Sequence, residues 1–363
     1  MRINTDFKKT DTVSKTIVVI LPSIEVNMGC TDAEQNVDSL MFVCCGIISI
    51  VKTICFRIYA NNLIDTYNAA IEDYTTIESP EQRKIMRKYA LIGRILSCFM
   101  VCFAYFATVV YTLIPLLSDE PIDQFNVTDK EIVLEYTIPS KCTLEYFHIP
   151  MSMYEIITLT ESFMMALTCT CNHGNDSLFL NITLHVCGQL TILKANFANI
   201  DVTSPQVHNH FNALIQRHDY LMRLGQKLAD TISFALLMQL FITNVLLCIM
   251  GFQFILALKK SNAVMLAKSC VVLGSFLMQI SVYSFVGDYF KNQMEEIGLF
   301  LYQSTWYNLP AKLTRNLAFI IMRSQSPIKL QAGNFIVVNL TTYISILKTS
   351  ISYLSVLRVM VET

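Results

Sequence analysis

The chain is short of charge: Asp, Glu, Lys and Arg make up only 15% of its 363 residues, against roughly 25% in an ordinary soluble domain. At the same time 53% of it is hydrophobic, and the apolar residues come in long uncharged blocks, not at the scattered spacing of a soluble core. Nor is there a surplus of either sign. With 27 Lys plus Arg against 28 Asp plus Glu, no net positive field exists to hold a phosphate backbone, and nucleic-acid binding is excluded. The twelve cysteines contain no C-x-x-C pair. Most sit inside apolar blocks, where a thiol acts as a small hydrophobe, so no disulfide framework is expected. Cys30 and Cys142 alone fall in polar segments and form the one candidate pair for an oxidising exterior. The sequence also lacks G-x-S-x-G, a Gly-rich phosphate loop and H-E-x-x-H, so neither an enzyme nor a cofactor is expected. Cys169, Cys171 and His173 read C-x-C-x-H, but on a helix steps of two residues turn away from each other and would not share one metal ion.

What the chain has is membrane-length helices. Residues 95–117, 231–258 and 269–287 are uncharged over 23, 28 and 19 positions, and about 20 suffice to cross the hydrocarbon of a bilayer. The block 40–59 carries Lys52 and Arg57 towards its C-terminal end, where long basic side chains are expected to snorkel to the interface. Residues 330–357 supply a last span with Lys348 in its middle. Two further segments are weaker. Residues 151–193 are apolar but interrupted by Glu155, Glu161 and the polar patch 172–176, and residues 16–24 offer only nine uncharged positions, closed by Glu25. The latter reads as a truncated first span, with a signal peptide as the alternative.

Seven spans leave nineteen Lys and Arg on one side (the N-terminus, 57–94, 188–230 and 288–329) and five on the other. The excess marks the first side as cytoplasmic, placing the N-terminus inside and the C-terminus outside. The fold class expected is an all-α membrane protein of seven transmembrane helices in one domain, 1–363, with a short N-terminus and degenerate first span over 1–30, an extracellular loop at 118–150 and cytoplasmic helical anchor segments at 188–230 and 288–329. The last span, 330–360, completes it. The sequon Asn126-Val127-Thr128 falls in the outside loop, while those at Asn175, Asn181 and Asn339 are expected to stay bare within or near spans.

The last 80 residues resemble the insect odorant receptor family. The matching text is Gly287-Asp288-Tyr289, Tyr302-Gln303-Ser304-Thr305-Trp306-Tyr307, Gln331-Ala332-Gly333 and Thr342-Tyr343-Ile344-Ser345-Ile346-Leu347-Lys348-Thr349-Ser350-Ile351-Ser352-Tyr353. Upstream, Leu184-His185-Val186-Cys187-Gly188-Gln189-Leu190 is similar to the family's pattern at the inner end of the fourth span. Gustatory receptors, the nearest relatives, carry Q-F where Lys348 and Thr349 stand, so the odorant branch fits better. The resemblance implies an odour-specific subunit of a ligand-gated nonselective cation channel in the plasma membrane of olfactory sensory neuron dendrites. It implies partnership with the shared odorant receptor co-receptor in a heterotetramer, four last spans around one pore, and a small volatile odorant as ligand.

On that reading Lys348, Ser352, Val356 and Met360 belong to the pore or gate. Val356 and Met360, four apart, share a helix face, and by similarity they sit where an apolar ring closes the pore by dewetting. Trp306 and Tyr307 are candidates for the subunit interface. For the pocket, helical spacing groups Phe103, Phe106 and Val110 on span three, Phe42 and Cys45 on span two, and Phe276, Gln279 and Ile280 on span six. Span four adds Thr158, Ser162 and Met165 with Glu161 beside them, the carboxylate suited to an amine or hydroxyl. A mostly apolar cavity with few polar groups suits a small volatile molecule. For each residue the competing reading is plain helix packing, and for Lys348 it is a hydrogen bond to a neighbouring helix. At the level of function the alternatives are a polytopic carrier, which the absence of repeated halves opposes, and a seven-span receptor coupled to G proteins, which the inverted orientation and missing D-R-Y and N-P-x-x-Y motifs oppose.

Overall fold

The computed structural model describes residues 19–28, 33–77, 79–117, 141–146, 148, 153–200 and 204–362. Ten helices follow one another among them: α1 (Val19–Met28), α2 (Ala33–Ile58), α3 (Ala60–Thr76), α4 (Pro80–Leu117), α5 (Lys141–Tyr146), α6 (Tyr154–Ala198), α7 (Val207–Lys260), α8 (Ala263–Gln303), α9 (Ala311–Ser324) and α10 (Leu340–Glu362). Before α10, two-residue strands β1 (Gln331–Ala332) and β2 (Ile336–Val337) pair antiparallel. Five helices (α2, α4, α6, α7 and α8) are long and apolar enough to cross a membrane among the described residues.

Their lengths carry the main architectural point. At 1.5 Å per residue the 54 residues of α7 extend about 80 Å, far more than the roughly 30 Å of hydrocarbon. The uncharged run 231–258 is therefore the membrane half of a helix whose other half, 207–230, projects beyond it. The same holds for α8, α6 and α4, whose polar ends continue their apolar runs without a break. The segments 188–230 and 288–329, expected as helical anchor segments, are mostly continuations of the spanning helices, joined by α9. His208 and His210 stand exposed on the first turns of α7.

Helix α6 is the most buried of the five long helices. From Phe179 to Leu193 nearly every side chain is buried, Leu180, Val186, Cys187 and Leu190 completely, the signature of a helix packed on all sides. Helices α4 and α8 flank it. Short polar caps set the turns. Asn262 accepts from the Met265 amide at 3.0 Å and starts α8 directly after Ser261 closes α7 in the left-handed conformation (φ 52°).

Three expectations are corrected. Lys52 does not snorkel: its side chain is buried and its Nζ lies 2.7 Å from Asp176 Oδ1, because α6 presents the carboxylate at the same depth. The polar patch 172–176 accordingly does not break the fourth span, and α6 runs unbroken over 45 residues. Finally, the last helix begins at Leu340, not at 330. Residues 331–337 form the hairpin, turned at Gly333 and Asn334 (φ 59° and 63°) and anchored by the Gly333 amide donating to the Ser233 carbonyl at 3.1 Å. Asn339 then accepts from the Thr342 amide at 2.8 Å and caps α10. The Gly-Asn pair amid an alternating Q-A…I-V-V pattern was the hairpin signal.

Candidate functional site

A cavity of about 150 Å³ opens between α2, α4, α6 and α8. Each helix contributes one face at helical spacing: Met41, Phe42 and Cys45 from α2, Met165, Thr168, Cys169, Asn172 and His173 from α6, and Val272, Ser275 and Phe276 from α8. From α4 come Ala104, Ala107, Thr108 and Tyr111. The wall is mainly apolar, and the Phe42 and Tyr111 rings meet edge to face with centroids 5.5 Å apart.

Below this cavity lies a buried polar layer that ties four helices together. Asp176 on α6 receives the Lys52 ammonium from α2, the Gln279 amide from α8 at 2.7 Å, and the Tyr283 hydroxyl. Gln239 on α7 then donates to Gln279 Oε1 at 2.9 Å and to Thr243 at 2.8 Å. A carboxylate at this depth persists only when its charge and lone pairs are met, and here one ammonium and two neutral donors meet them.

The structure brings together Phe42, Cys45, Met165 and Phe276 of the sequence-derived pocket residues. Gln279 lies in the polar layer and Ile280 in the solid core. Thr158 and Glu161 are buried higher on α6, with Ser162 donating to the Thr158 carbonyl at 2.7 Å, and none of the three lines the cavity. The stripe Phe103, Phe106 and Val110 does not line it either. Phe106 is 57% exposed on the outside of the bundle, and Phe103 packs between Phe99 and Phe106 and against Gly274. The stripe one residue round α4 faces inward, and it opens a void because Ala104, Ala107 and Thr108 are small. Bulky residues fill space; a cavity forms where they are missing. That run of small residues at i, i+3 and i+4 was the available signal.

On α10 one face packs against α7, with Ser350 donating to Asn244 Oδ1 at 3.1 Å and Leu354 lying over Gly251. The opposite face exposes Ser345, Lys348, Thr349, Ser352 and Val356. Met360 lies on α10 and Cys142 on α5, with their side chains outside the described residues, and Cys30 and the sequon at Asn126 lie outside them altogether. Trp306 and Tyr307 occupy a single 3-10 turn after α8. The indole donates to the Tyr302 carbonyl at 3.0 Å, and the Tyr307 ring is exposed. Cys169 and His173 sit one turn apart, Sγ to Nδ1 3.9 Å.

A larger cleft, about 460 Å³, lies elsewhere, between α3, α6 and α7. Its wall mixes Ile77, Ile192 and Leu193 with polar side chains, several of them paired. Asp73 receives Arg217 at 2.5 Å and His185 at 3.1 Å, and Arg217 also donates to Gln189. Burial alone would raise the Asp73 carboxyl, but the His185 hydrogen bond and the Arg217 charge outweigh it and hold the carboxyl below its ordinary value. A wall of satisfied charges suits water better than a volatile ligand, so the smaller apolar cavity is the candidate site.

The family described as "7tm Odorant receptor" matches residues 32–351. Odorant receptor 13a of Drosophila melanogaster is 22% identical over 342 residues, covering 87% of this chain and 78% of the relative. Odorant receptor 9a of the same fly is 23% identical over 58% of this chain and 52% of its own length. In structure the chain is similar to the insect olfactory receptor OR5 from Machilis hrabei in complex with eugenol, with a TM-score of 0.81 at 15% identity over 99% of this chain and 90% of the other. A second structure of the same Machilis hrabei receptor gives a TM-score of 0.74 at 14% identity, over 96% of this chain and 87% of the other.

Proposed function

Because the chain belongs to the insect 7tm odorant receptor family, and is a multi-pass membrane receptor rather than an enzyme, we propose that its odorant is held in the cavity between α2, α4, α6 and α8. The chain is an odorant-binding subunit of a ligand-gated cation channel. In the finer reading it assembles with the odorant receptor co-receptor as a heterotetramer in the dendritic membrane of olfactory neurons.

The observation that carries the pocket is the coincidence of an apolar void with a charged layer directly beneath it. His173 lines the cavity, and Asp176 on the next turn holds Lys52, Gln279 and Tyr283. Filling the void pushes on α2, α6 and α8 at the level where they are locked together, so a ligand that prefers one arrangement of these helices shifts the population of the open pore.

The free face of α10 supports the pore assignment. Hydroxyls of Ser345, Thr349 and Ser352 lie along one exposed stripe with Lys348 beside them. Within a bilayer such a stripe is costly against lipid and favourable against water, so it suits a water-filled axis shared by four subunits. Val356 at the outer end of that stripe supplies the apolar constriction.

The test is coexpression with the co-receptor and an odour panel under voltage clamp. Rapid odour-gated cation current that Ala107→Trp abolishes, with surface delivery unchanged, is the expected result. A current untouched by filling the void in this way excludes the cavity as the binding site.

A further inference from the structure

Several hydrogen-bonding atoms on the cavity wall are acceptors. Thr108 donates its proton to the Ala104 carbonyl at 3.0 Å, and Ser275 donates to the Val271 carbonyl at 2.9 Å. Both hydroxyls therefore turn only lone pairs outward. His173 places Nδ1 3.2 Å from the Cys169 carbonyl, an atom that only accepts. The proton is thus on Nδ1, and in that neutral tautomer Nε2 is an acceptor. Asn172, on the adjacent position of α6, keeps its Oδ1 buried with no hydrogen-bond partner. A buried carbonyl oxygen without a donor is destabilising, a cost a ligand bearing a donor removes.

The wall also has no spare negative charge. Asp176, the carboxylate nearest along α6, already holds Lys52, Gln279 and Tyr283 on the side facing the polar layer. A protonated amine entering the void would be desolvated without a counter-ion. The donor must therefore be neutral. Size adds a second limit, since an apolar protein void of about 150 Å³ accommodates a molecule the size of benzene.

Resting on the cavity reading above, we propose that the ligands of this receptor are small neutral hydroxyl compounds, alcohols or phenols of about benzene size, whose O–H donates to the Asn172 carboxamide oxygen while the carbon frame lies against Phe42, Met165 and Phe276. Esters, ketones and ethers of the same size bring no donor to the buried Asn172 oxygen and are discriminated against. A site built to pair a hydroxyl rejects the analogue lacking it far more strongly than an apolar pocket rejects a missing methylene.

The experiment uses the full chain with the co-receptor and three compounds of matched frame: benzyl alcohol, its methyl ether and benzaldehyde. On the unaltered chain the alcohol is expected to activate at concentrations at least about tenfold below the other two, the value of one buried hydrogen bond. In Asn172→Leu, close in volume and without the acceptor, that preference falls to within about twofold while the ether still activates. Equal potency of the three compounds on the unaltered chain overturns the proposal without any variant being needed. So does a preference that survives Asn172→Leu at normal surface delivery. If only esters or ketones drive a current and Ala107→Trp removes it, the cavity reading stands and the hydroxyl proposal falls. Silence to every compound in a broad odour panel overturns both.

Discussion

Lys52 and Asp176, 124 positions apart in sequence, form a salt bridge of 2.7 Å with both side chains almost fully buried. It joins α2 to α6 beneath the candidate ligand cavity, and through Gln279 and Tyr283 it extends to α8. Removing one partner of a buried pair leaves an uncompensated charge.

Lys52→Met is therefore expected to destabilise the chain by about 3–5 kcal/mol, seen as loss of surface protein and a lower melting temperature in detergent. Lys52→Met combined with Asp176→Asn should recover much of that loss, since the pair leaves together. A double variant as damaged as the single would show that the ion pair is not the cause.

Gly287 lies in tight contact with the segment entering α10. A Cβ there would meet the Val338 carbonyl oxygen at 2.3 Å, a backbone atom that cannot swing aside. Gly287→Ala is expected to cost about 1–3 kcal/mol of stability and to disturb α10, read as lost current at matched surface level. Gly174, with no atom within 4 Å of the position of its missing Cβ, is the control. Gly174→Ala in mid-helix should be neutral or stabilising by about 0.5–1 kcal/mol.

Acid stability should report on Asp73. Its carboxyl is held below the ordinary value of 3.8 by His185 and Arg217 against the opposing effect of burial. A depressed folded-state value contributes stability that is present above the unfolded value and disappears as pH falls through the folded one. In detergent the purified chain is expected to lose this contribution below about pH 3.8, and Asp73→Asn should flatten that part of the pH–stability curve while lowering stability at pH 7. An unchanged acid limb in Asp73→Asn would deny the linkage.

Val356 is 58% exposed on the face of α10 turned away from the bundle. If it narrows the pore, Val356→Ala widens a hydrophobic constriction and raises resting conductance in the absence of odour. Resting leak and rectification identical to the unaltered channel would return Val356 to lipid or to packing between subunits.

Much of this molecule was legible from one dimension. The uncharged runs 95–117, 231–258 and 269–287 identified spans because hydrocarbon tolerates no unpaired charge over the length of a helix crossing, and the blocks around Tyr302 and Tyr343 carried the family. Lys52 was misread because local rules send a lone lysine near a span end to the interface, and nothing nearby announces a carboxylate on another helix. The cavity stripe on α4 was misread because size marks what fills space, whereas the void belongs to Ala104 and Ala107, which stand out only once the helix is rotated against its neighbours.

Composition and periodicity alone determined that this chain lives in a bilayer as a bundle of helices, since the free energy of burying apolar side chains and satisfying backbone groups depends on residue type and spacing. Tertiary structure decided where the helices continue past the membrane, which acid meets which base, and where no side chain reaches. Those depend on the relative rotation and depth of helices far apart in the chain, quantities that only packing can set.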